Sequence, residues 1–242
     1  MSDQPIHPIQ QLARALTWVA GGLLLYGVSG WILSQPVFAL HEVEVATPVA
    51  HVTEAQVKLV ADRQVRGNFF TVDLERVRAA FEKLPWVREA HVTRRWPDTL
   101  VVSLVEHVPL ARWNDAGLVN QQGEVFAAAL DASIPHFSGP ENSSGEVTRA
   151  YRQYQQHLAR LGHSISELHL SPRRAWSMKL DDGTRIILGR DEPVTRLVQF
   201  IRLFPKLFAD PTQTPTYVDL RYADGFAIRM RMPAGARHPN QS

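Results

Sequence analysis

Few side chains in this sequence are spaced for catalysis or for metal binding. The chain of 242 residues contains no cysteine, and none of its serines lies in a G-x-S-x-G motif. Three of its ten histidines, His157, His163 and His169, recur every six residues, whereas two metal ligands on one helix face are spaced by four. No glycine loop of the phosphate-binding type occurs. The sequence therefore predicts no enzyme, no cofactor and no metal, and a metal site would arise only if distant residues met in the fold.

The charge balance argues against nucleic acid as a partner. Lys and Arg number 26 and Asp and Glu number 24, which leaves a net charge of +2. The apolar fraction of 45% suits a globular protein that carries one membrane segment. We therefore expect function to depend on surfaces that bind other proteins, with no small-molecule substrate.

One segment near the start is long and apolar enough to cross a membrane. Residues 15–40 contain no charged side chain, and their core, residues 16–33, would span about 27 Å as a helix. Trp18 and Trp31 lie near its two ends, where indole rings favour the membrane interface. A cleaved signal peptide would have a shorter apolar region and a basic leader, but here only Arg14 is basic. The sequence predicts an uncleaved anchor.

The positions of Lys and Arg predict which side of the membrane the chain occupies. Arg14 directly precedes the apolar segment, and the next basic residue of this kind is Lys58. Because positive residues are retained on the cytoplasmic side, residues 1–14 are expected in the cytoplasm and the rest of the chain outside.

After the apolar segment the pattern predicts a strand, two helices and two more strands. Thr53 and Gln56 have the spacing of a capping box, which marks the start of the first helix. Pro97 lies in a tight turn between the last two strands, which alternate apolar and polar side chains. The five elements are predicted at residues 38–45, 53–62, 73–84, 87–96 and 99–107.

The second half of the chain is predicted to be mostly β structure with two helices. Gly183 and Gly225 each follow an acidic turn residue between two apolar runs, as in a hairpin. Helical spacing of apolar residues predicts helices that begin near Ser143, with a second capping box to Glu146, and near Pro193. The hairpins are predicted at residues 117–126, 176–188 and 217–230.

Several strings in both halves resemble the FtsQ/DivIB family of bacterial cell division proteins. Those similar to the POTRA domain of the family are GNFF at 67–70, LPWV at 84–87, RRWPD at 94–98 and LVEHVPLARW at 104–113. Those similar to its β domain are GLVNQQGEVF at 117–126, R-R-x-W at 173–176 and YVDLRY at 217–222. On these strings the chain is identified as a member of that family.

The resemblance implies an α+β fold with a single N-terminal transmembrane helix, a βααββ POTRA domain and a mostly antiparallel β domain with flanking helices. The implied boundaries are a cytoplasmic tail at 1–14, the transmembrane helix at 15–36, the POTRA domain at 37–107, the β domain at 108–232 and a disordered tail at 233–242.

The resemblance also implies a function. A member of this family would be a bitopic inner-membrane scaffold of the divisome, with most of the chain in the periplasm at the division septum. It would recruit the periplasmic segments of FtsB and FtsL, contact other divisome proteins, and link early and late division proteins.

Four residues match the partner-binding elements of the family: Arg173, Tyr222, Asp224 and Gly225. Tyr222 offers a large apolar face with one hydroxyl, and Arg173 offers bidentate pairing with a carboxylate. The last strand is expected to be a sheet edge that accepts a partner strand. Structural roles explain the same residues without a partner, with Tyr222 packed on its own sheet, Gly225 in a turn that needs a positive φ, and Arg173 solvated. Asp224 stands where the family has a small residue.

Two other classes of protein remain as alternatives. A POTRA-containing periplasmic transport or assembly factor would normally precede a β-barrel, and no tract of alternating strands of about 10 residues follows here. A membrane-anchored hydrolase would need a nucleophile and a base, and the sequence indicates no such pair.

Overall fold

The computed structural model of the chain describes residues 8–33, 39–40, 42–115, 117–207, 215–222 and 225–230. Residues 1–7 of the predicted cytoplasmic tail, residues 34–36 of the predicted membrane segment and the predicted disordered tail at 233–242 lie outside the described residues. The chain divides into two compact units, Met1–Glu106 and His107–Ser242.

A single long helix, α1, spans Pro8–Leu33. The helix begins at Pro8, because backbone N–H groups in a first helical turn have no partner within the helix and proline lacks only that group. It therefore also includes residues 8–14 of the predicted tail. Its segment Leu12–Trp31 is long and apolar enough to cross a membrane, and none of it is buried within the structure. Trp18, for example, is 82% exposed.

The first soluble unit has the predicted order of elements. These are β1 (Glu42–Val45), α2 (Glu54–Gln64), α3 (Leu74–Phe81), β2 (Val87–Arg95) and β3 (Thr99–Glu106). The sheet order is β1-β3-β2, with β1 parallel and β2 antiparallel to β3. The predicted capping box starts α2, because the Thr53 hydroxyl accepts from the Gln56 N–H at 3.3 Å while the Gln56 side chain accepts from the Thr53 N–H at 2.9 Å. Phe38, where the first strand was predicted to begin, lies outside the described residues.

One face of helix α3 forms the centre of this unit's core. Val77 and Phe81 lie one helical turn apart and are completely buried. They belong to the same apolar cluster as Leu100 and Val102 of the central strand β3, which are also completely buried. Burial of side chains of this size stabilises a fold by about 1.5–3 kcal/mol each.

The carboxylate of Glu106, at the end of β3, organises the loop before α2. Its oxygens accept hydrogen bonds from the backbone N–H groups of Ala50 at 2.9 Å, His51 at 2.9 Å and Val52 at 2.8 Å. The side chain is 15% exposed. Burial by itself raises the pKa of this carboxyl, but the three backbone donors and His51 outweigh it, and the net pKa of Glu106 is lowered.

The second unit is built on a nine-stranded sheet of order β12-β11-β10-β9-β8-β7-β4-β5-β6. Its strands are β4 (Pro109–Trp113), β5 (Gly117–Asn120), β6 (Val125–Phe126), β7 (His136–Ser138), β8 (Ile165–Leu170), β9 (Trp176–Leu180), β10 (Arg185–Gly189), β11 (Pro215–Asp219) and β12 (Ala227–Met230). Most neighbouring pairs are antiparallel, as predicted, but β4 with β7, β7 with β8 and β10 with β11 are parallel.

Two helices, α4 (Ser144–Leu158) and α5 (Pro193–Leu207), pack against each other and against this sheet. The capping box predicted at Ser143 and Glu146 is wrong. Ser143 has a ψ of 1° rather than the extended conformation that a cap requires, so its hydroxyl donates to the carbonyl of Pro140 at 2.6 Å.

Candidate partner-binding site

A groove of about 400 Å³ lies between α5 and the segment that joins β11 to β12. Its helical wall includes Phe200, Leu203 and the cation Arg196, and its other wall includes Tyr222 and Phe226. The groove therefore combines apolar and aromatic side chains with arginine, a composition that suits a partner with apolar side chains and carboxylates.

The apolar wall is held by aromatic packing between α5 and the C-terminal strands. Phe200 is buried, and its ring lies 5.5 Å from Phe204 and 5.6 Å from Phe226, both edge to face. Leu203, one turn further along α5, is 42% exposed and faces the groove. Neither Phe200 nor Leu203 was predicted from the sequence to be a site residue. Phe200 lies three residues after Leu197, which is buried, and this helical spacing could have predicted that Phe200 is on the buried face of α5.

Tyr222 follows a segment whose backbone is held in place on both sides. Arg221 pairs with Asp219 at 2.6 Å, and the side chain of Asp219 is only 5% exposed. The Leu220 N–H donates to the carbonyl of Ile187 at 2.8 Å, and Arg196 donates to the carbonyl of Leu220 at 3.1 Å. The chain is thus bonded to β10 and to α5 just before it presents Tyr222.

The ion pair between Arg221 and Asp219 also stabilises the ionised form of Asp219. The hydrogen bond from Arg221 lowers the pKa of the Asp219 carboxyl, and this effect exceeds that of burial, which raises it. Asp219 therefore stays ionised near neutral pH and keeps its pairing with Arg221.

The predicted residue Tyr222 is 58% exposed and contributes to the groove. It is therefore not a residue buried on its own sheet, which was the structural explanation considered from the sequence. A ring that is mostly exposed beside an apolar groove retains the surface that an interface anchor buries on binding.

The predicted residue Gly225 also contributes to the groove. It does not adopt the left-handed conformation, so a turn with positive φ does not account for it. A Cβ atom at this position would meet nothing within 4 Å in the described structure, which leaves room for another chain. Asp224, the third residue of this predicted element, lies outside the described residues.

The predicted residue Arg173 lies outside the groove but at the same end of the sheet. It precedes β9, whose first residue, Trp176, is in register with Gly189 at the end of β10. The end of β11 and the start of β12 meet there as well, with Asp219 opposite Ala227. Three strand spacings separate β9 from β12, about 14 Å in all, so one elongated partner could contact both places.

The two neighbouring arginines of the R-R-x-W string differ in their environment. Arg174 pairs with Glu146 of α4 and has a positive φ of 64°. Arg173 is exposed, and its side chain has no hydrogen-bond or ion-pair partner among the residues that the structure describes. Arg174 therefore anchors the loop, and Arg173 is available to a partner.

Strand β12 forms one edge of the nine-stranded sheet, as expected from the sequence. It pairs with β11 on one side, and no described strand lies on the other. Exposed strand edges present free N–H and C=O groups that can pair with a strand from another chain. The edge begins directly after Phe226, which lines the groove.

Two further clusters join residues that are distant in the sequence. One cluster consists of His163, Asp181 and Asp182, whose potential metal-ligand atoms lie within 4.8 Å of one another. A metal site was expected only if distant residues came together in this way. Here Asp181 accepts from Ser164 at 2.9 Å and Asp182 accepts from the Thr184 N–H at 2.8 Å. Burial raises the pKa of Asp181, but hydrogen bonds from Ser164 and His163 outweigh it, so the net pKa is lowered. The bonds from Ser164 and His163 connect the segment just before β8 to the β9–β10 hairpin, and the bond to Asp182 lies within that hairpin.

The other cluster is a serine–histidine pair that the sequence analysis missed. The Ser138 hydroxyl lies 2.8 Å from Nδ1 of His169, because the two residues are in register on β7 and β8. A catalytic pair also needs a group that orients the histidine. Within the described part of the chain, no side chain hydrogen-bonds the other ring nitrogen of His169. Among the described residues the pair thus has two of the three members of such a triad.

Two protein-family models match the chain, one in each soluble unit. The POTRA domain, FtsQ-type, matches residues 38–107. The C-terminal region of cell division protein FtsQ/DivIB matches residues 111–221, which include Arg173 and end one residue before Tyr222.

Similar proteins cover almost the whole chain, and each bears the name cell division protein FtsQ. The one from Nitrosospira multiformis is 41% identical over 226 residues, covering 91% of this chain and 96% of that protein. The one from Burkholderia pseudomallei is 40% identical over 216 residues, covering 86% of each chain. The one from Neisseria gonorrhoeae is 32% identical over 222 residues, covering 91% of this chain and 92% of that protein. The predicted family and the predicted α+β fold with a POTRA domain are confirmed.

Proposed function

This chain belongs to the FtsQ/DivIB family of cell division proteins, and from that membership we propose that it is a bitopic inner-membrane scaffold that recruits FtsB and FtsL to the divisome. In this role it binds their periplasmic segments and contacts other divisome proteins, and so links early and late division proteins at the septum. A scaffold of this kind needs no catalytic group, cofactor or metal. The comparisons favour it over a transport or assembly factor, because the matching POTRA model is of the FtsQ type.

The proposed topology is a single crossing with the N-terminus in the cytoplasm. Helix α1 provides the apolar segment Leu12–Trp31. Arg14 lies at its start, and no Lys or Arg follows before Lys58, which favours translocation of the rest of the chain to the periplasm. Both soluble units then lie on the side where FtsB and FtsL carry their periplasmic segments.

We propose that the partner binds along the end of the sheet from Arg173 to β12. A partner strand pairs with the free edge of β12, an apolar side chain enters the groove beside Tyr222, and a partner carboxylate pairs with Arg173. Gly225 allows close approach of the partner backbone, and Asp224 belongs to the same contact. The observation that carries the proposal is the 58% exposure of Tyr222 in an apolar groove next to a free sheet edge.

The test is binding of the full-length chain in nanodiscs to the FtsB–FtsL complex from the same organism. We expect Tyr222→Ala to weaken binding by at least about 10-fold, because loss of a central aromatic anchor costs about 2 kcal/mol or more. Arg173→Glu should weaken it by about 10-fold, because it replaces an attraction with a repulsion.

The matched controls are an exposed arginine and an exposed aromatic away from the site. Arg160 precedes β8 and lies at the end of the sheet opposite to Arg173. Trp96 belongs to the first unit and is 75% exposed. Neither Arg160→Glu nor Trp96→Ala should change the affinity by more than about twofold. Binding that survives both Tyr222→Ala and Arg173→Glu would refute the site, and no binding by the unaltered chain would refute the recruitment of FtsB and FtsL.

A further inference from the structure

A second groove, the α2–α3 groove, runs between the two helices of the first unit and has a volume of about 490 Å³. Its floor is apolar and includes Leu59 of α2, Ala79 of α3 and Leu84 just after α3. Leu59 is 50% exposed, although Val57 of the same helix is buried in the core. The small side chain of Ala79 leaves the space between the helices open.

The rim of the α2–α3 groove is entirely basic. Its charged lining residues are Arg63, Arg76 and Lys83, and no carboxylate of the described residues lines it. The side chains of Arg63 and Lys83 pair with no acid among the described residues. Arg76 donates through Nε to the side chain of Gln64 across the groove at 3.2 Å, which orients its guanidinium and leaves the other N–H groups for a ligand.

The acidic residues in α3 and directly after it do not neutralise this rim. Glu75 and Glu82 both pair with Arg78, at 2.7 Å and 2.8 Å, and none of these three residues lines the groove. The rim therefore presents three cations around an apolar floor, and its complement is a surface with carboxylates around an apolar side chain.

We propose that the α2–α3 groove binds an acidic amphipathic segment of a partner protein. Leucine-like side chains of that segment lie on Leu59 and Ala79, and its carboxylates pair with Arg63, Arg76 and Lys83. Helix α2 has 11 residues and is about 16 Å long, so a helical segment of about 11–14 residues covers it. The proposal does not depend on the site at β12, which lies in the other unit.

The test uses the full-length chain in nanodiscs of neutral lipid and a designed peptide of about 14 residues as the probe. The peptide places leucines on one helical face with glutamates beside them, and a second peptide has lysine in place of every glutamate. We expect saturable binding of the acidic peptide, and binding at least about 10-fold weaker for the basic one because of the cationic rim.

Two variants of the chain separate the rim from the floor. Arg63→Glu with Lys83→Glu should weaken binding of the acidic peptide by about 10-fold or more, because it reverses two of the three cations. Ala79→Phe keeps every charge but fills the groove, and should weaken binding by a similar factor. Lys58→Glu is the matched control, because Lys58 is exposed on α2 and does not line the groove. Thermal unfolding should be similar for all variants, since the altered residues are exposed.

Several results would overturn the proposal. Equal binding of the two peptides would refute charge recognition, and unchanged binding by Ala79→Phe would refute the groove as the site. A third result would identify a lipid ligand instead. In that case the acidic peptide would not bind, while vesicles containing phosphatidylglycerol would bind the chain in a way that Arg63→Glu with Lys83→Glu abolishes.

Discussion

Removal of the Glu106 carboxylate should destabilise the first unit by a predictable amount. This carboxylate accepts three backbone N–H groups from residues 50–52, at 2.8 to 2.9 Å. Hydrogen bonds to a charged group contribute about 1.5–3 kcal/mol each when buried, but the N–H groups of Ala50 and His51 can bond to water once released. We therefore expect Glu106→Ala to lower the free energy of unfolding by about 2–4 kcal/mol, and Glu106→Gln, which keeps one acceptor oxygen, by about 1–2 kcal/mol.

The effect should depend on pH in one direction. The folded pKa of Glu106 lies below its ordinary value of 4.5. The stabilisation is therefore fully present above about pH 4.5 and is lost as the pH falls through the folded pKa. The difference in unfolding free energy between the unaltered chain and Glu106→Gln should be constant at neutral pH and should shrink below about pH 4.5.

Amide hydrogen exchange provides a local assay for this prediction, together with chemical unfolding as the global measurement. In Glu106→Ala the amides of Ala50, His51 and Val52 should exchange faster, and the amides of the second unit should be unchanged. Glu42→Gln, an exposed carboxyl on β1, is the matched control. Undiminished protection of residues 50–52 in Glu106→Ala would contradict the assigned role. So would a difference between Glu106→Gln and the unaltered chain that does not shrink as the pH falls below about 4.5.

Two other changes test the second unit. Gly123→Ala should destabilise it by about 2–3 kcal/mol in thermal unfolding, because Gly123 has a φ of 87° and its Cβ would lie 2.6 Å from the Cα of Gly145. Gly183→Ala is the control, because Gly183 has a φ of 88° but no atom lies within 4 Å of the new Cβ. It should lower the free energy of unfolding by only about 1 kcal/mol. Equal destabilisation by the two substitutions would show that the contact with Gly145 is unimportant. Leu203→Glu should weaken the proposed binding of FtsB–FtsL by about 10-fold at an unchanged unfolding temperature, since its side chain is 42% exposed in the groove. Unaltered affinity would exclude the α5 wall from the interface.

Features that depend on neighbouring residues could be predicted from the sequence. The capping box at Thr53 was predicted because both of its hydrogen bonds join residues three positions apart. Ser143 has the same pattern but forms no capping box, because the preceding loop holds its backbone in another conformation. Composition could not reveal that conformation.

Features that depend on distant strand pairing could not be predicted. Strands β10 and β11 are parallel and are connected by α5, which crosses over the sheet. The groove beside Tyr222 forms because this crossover helix packs next to the segment after β11. No local period encodes this connection, and Leu203 therefore had no signal as a groove residue. The resemblance still indicated Tyr222 and Gly225, because it matched strings and required no knowledge of the strand order.

The strings that carry the resemblance also contain residues whose role is structural and does not involve a partner. Glu106 belongs to the string LVEHVPLARW, and in the structure its carboxylate ties the end of β3 to the loop before α2. Asn120, in GLVNQQGEVF, is completely buried and accepts from the N–H groups of Gln122 and Glu124 at 2.9 Å, which shapes the hairpin turn. Strings that identify a family therefore mix residues that build the fold with residues that are exposed at the surface.

The two edges of the nine-stranded sheet are unequal, and this bears on stoichiometry. At one end β12 has four residues, and at the other β6 has only two. A two-residue strand offers too few backbone groups to hold another strand, so of the two edges formed by the described strands, β12 is the one suited to strand addition. If partners join by strand addition, each chain therefore accepts a partner strand at β12, and β6 provides no second site of this kind.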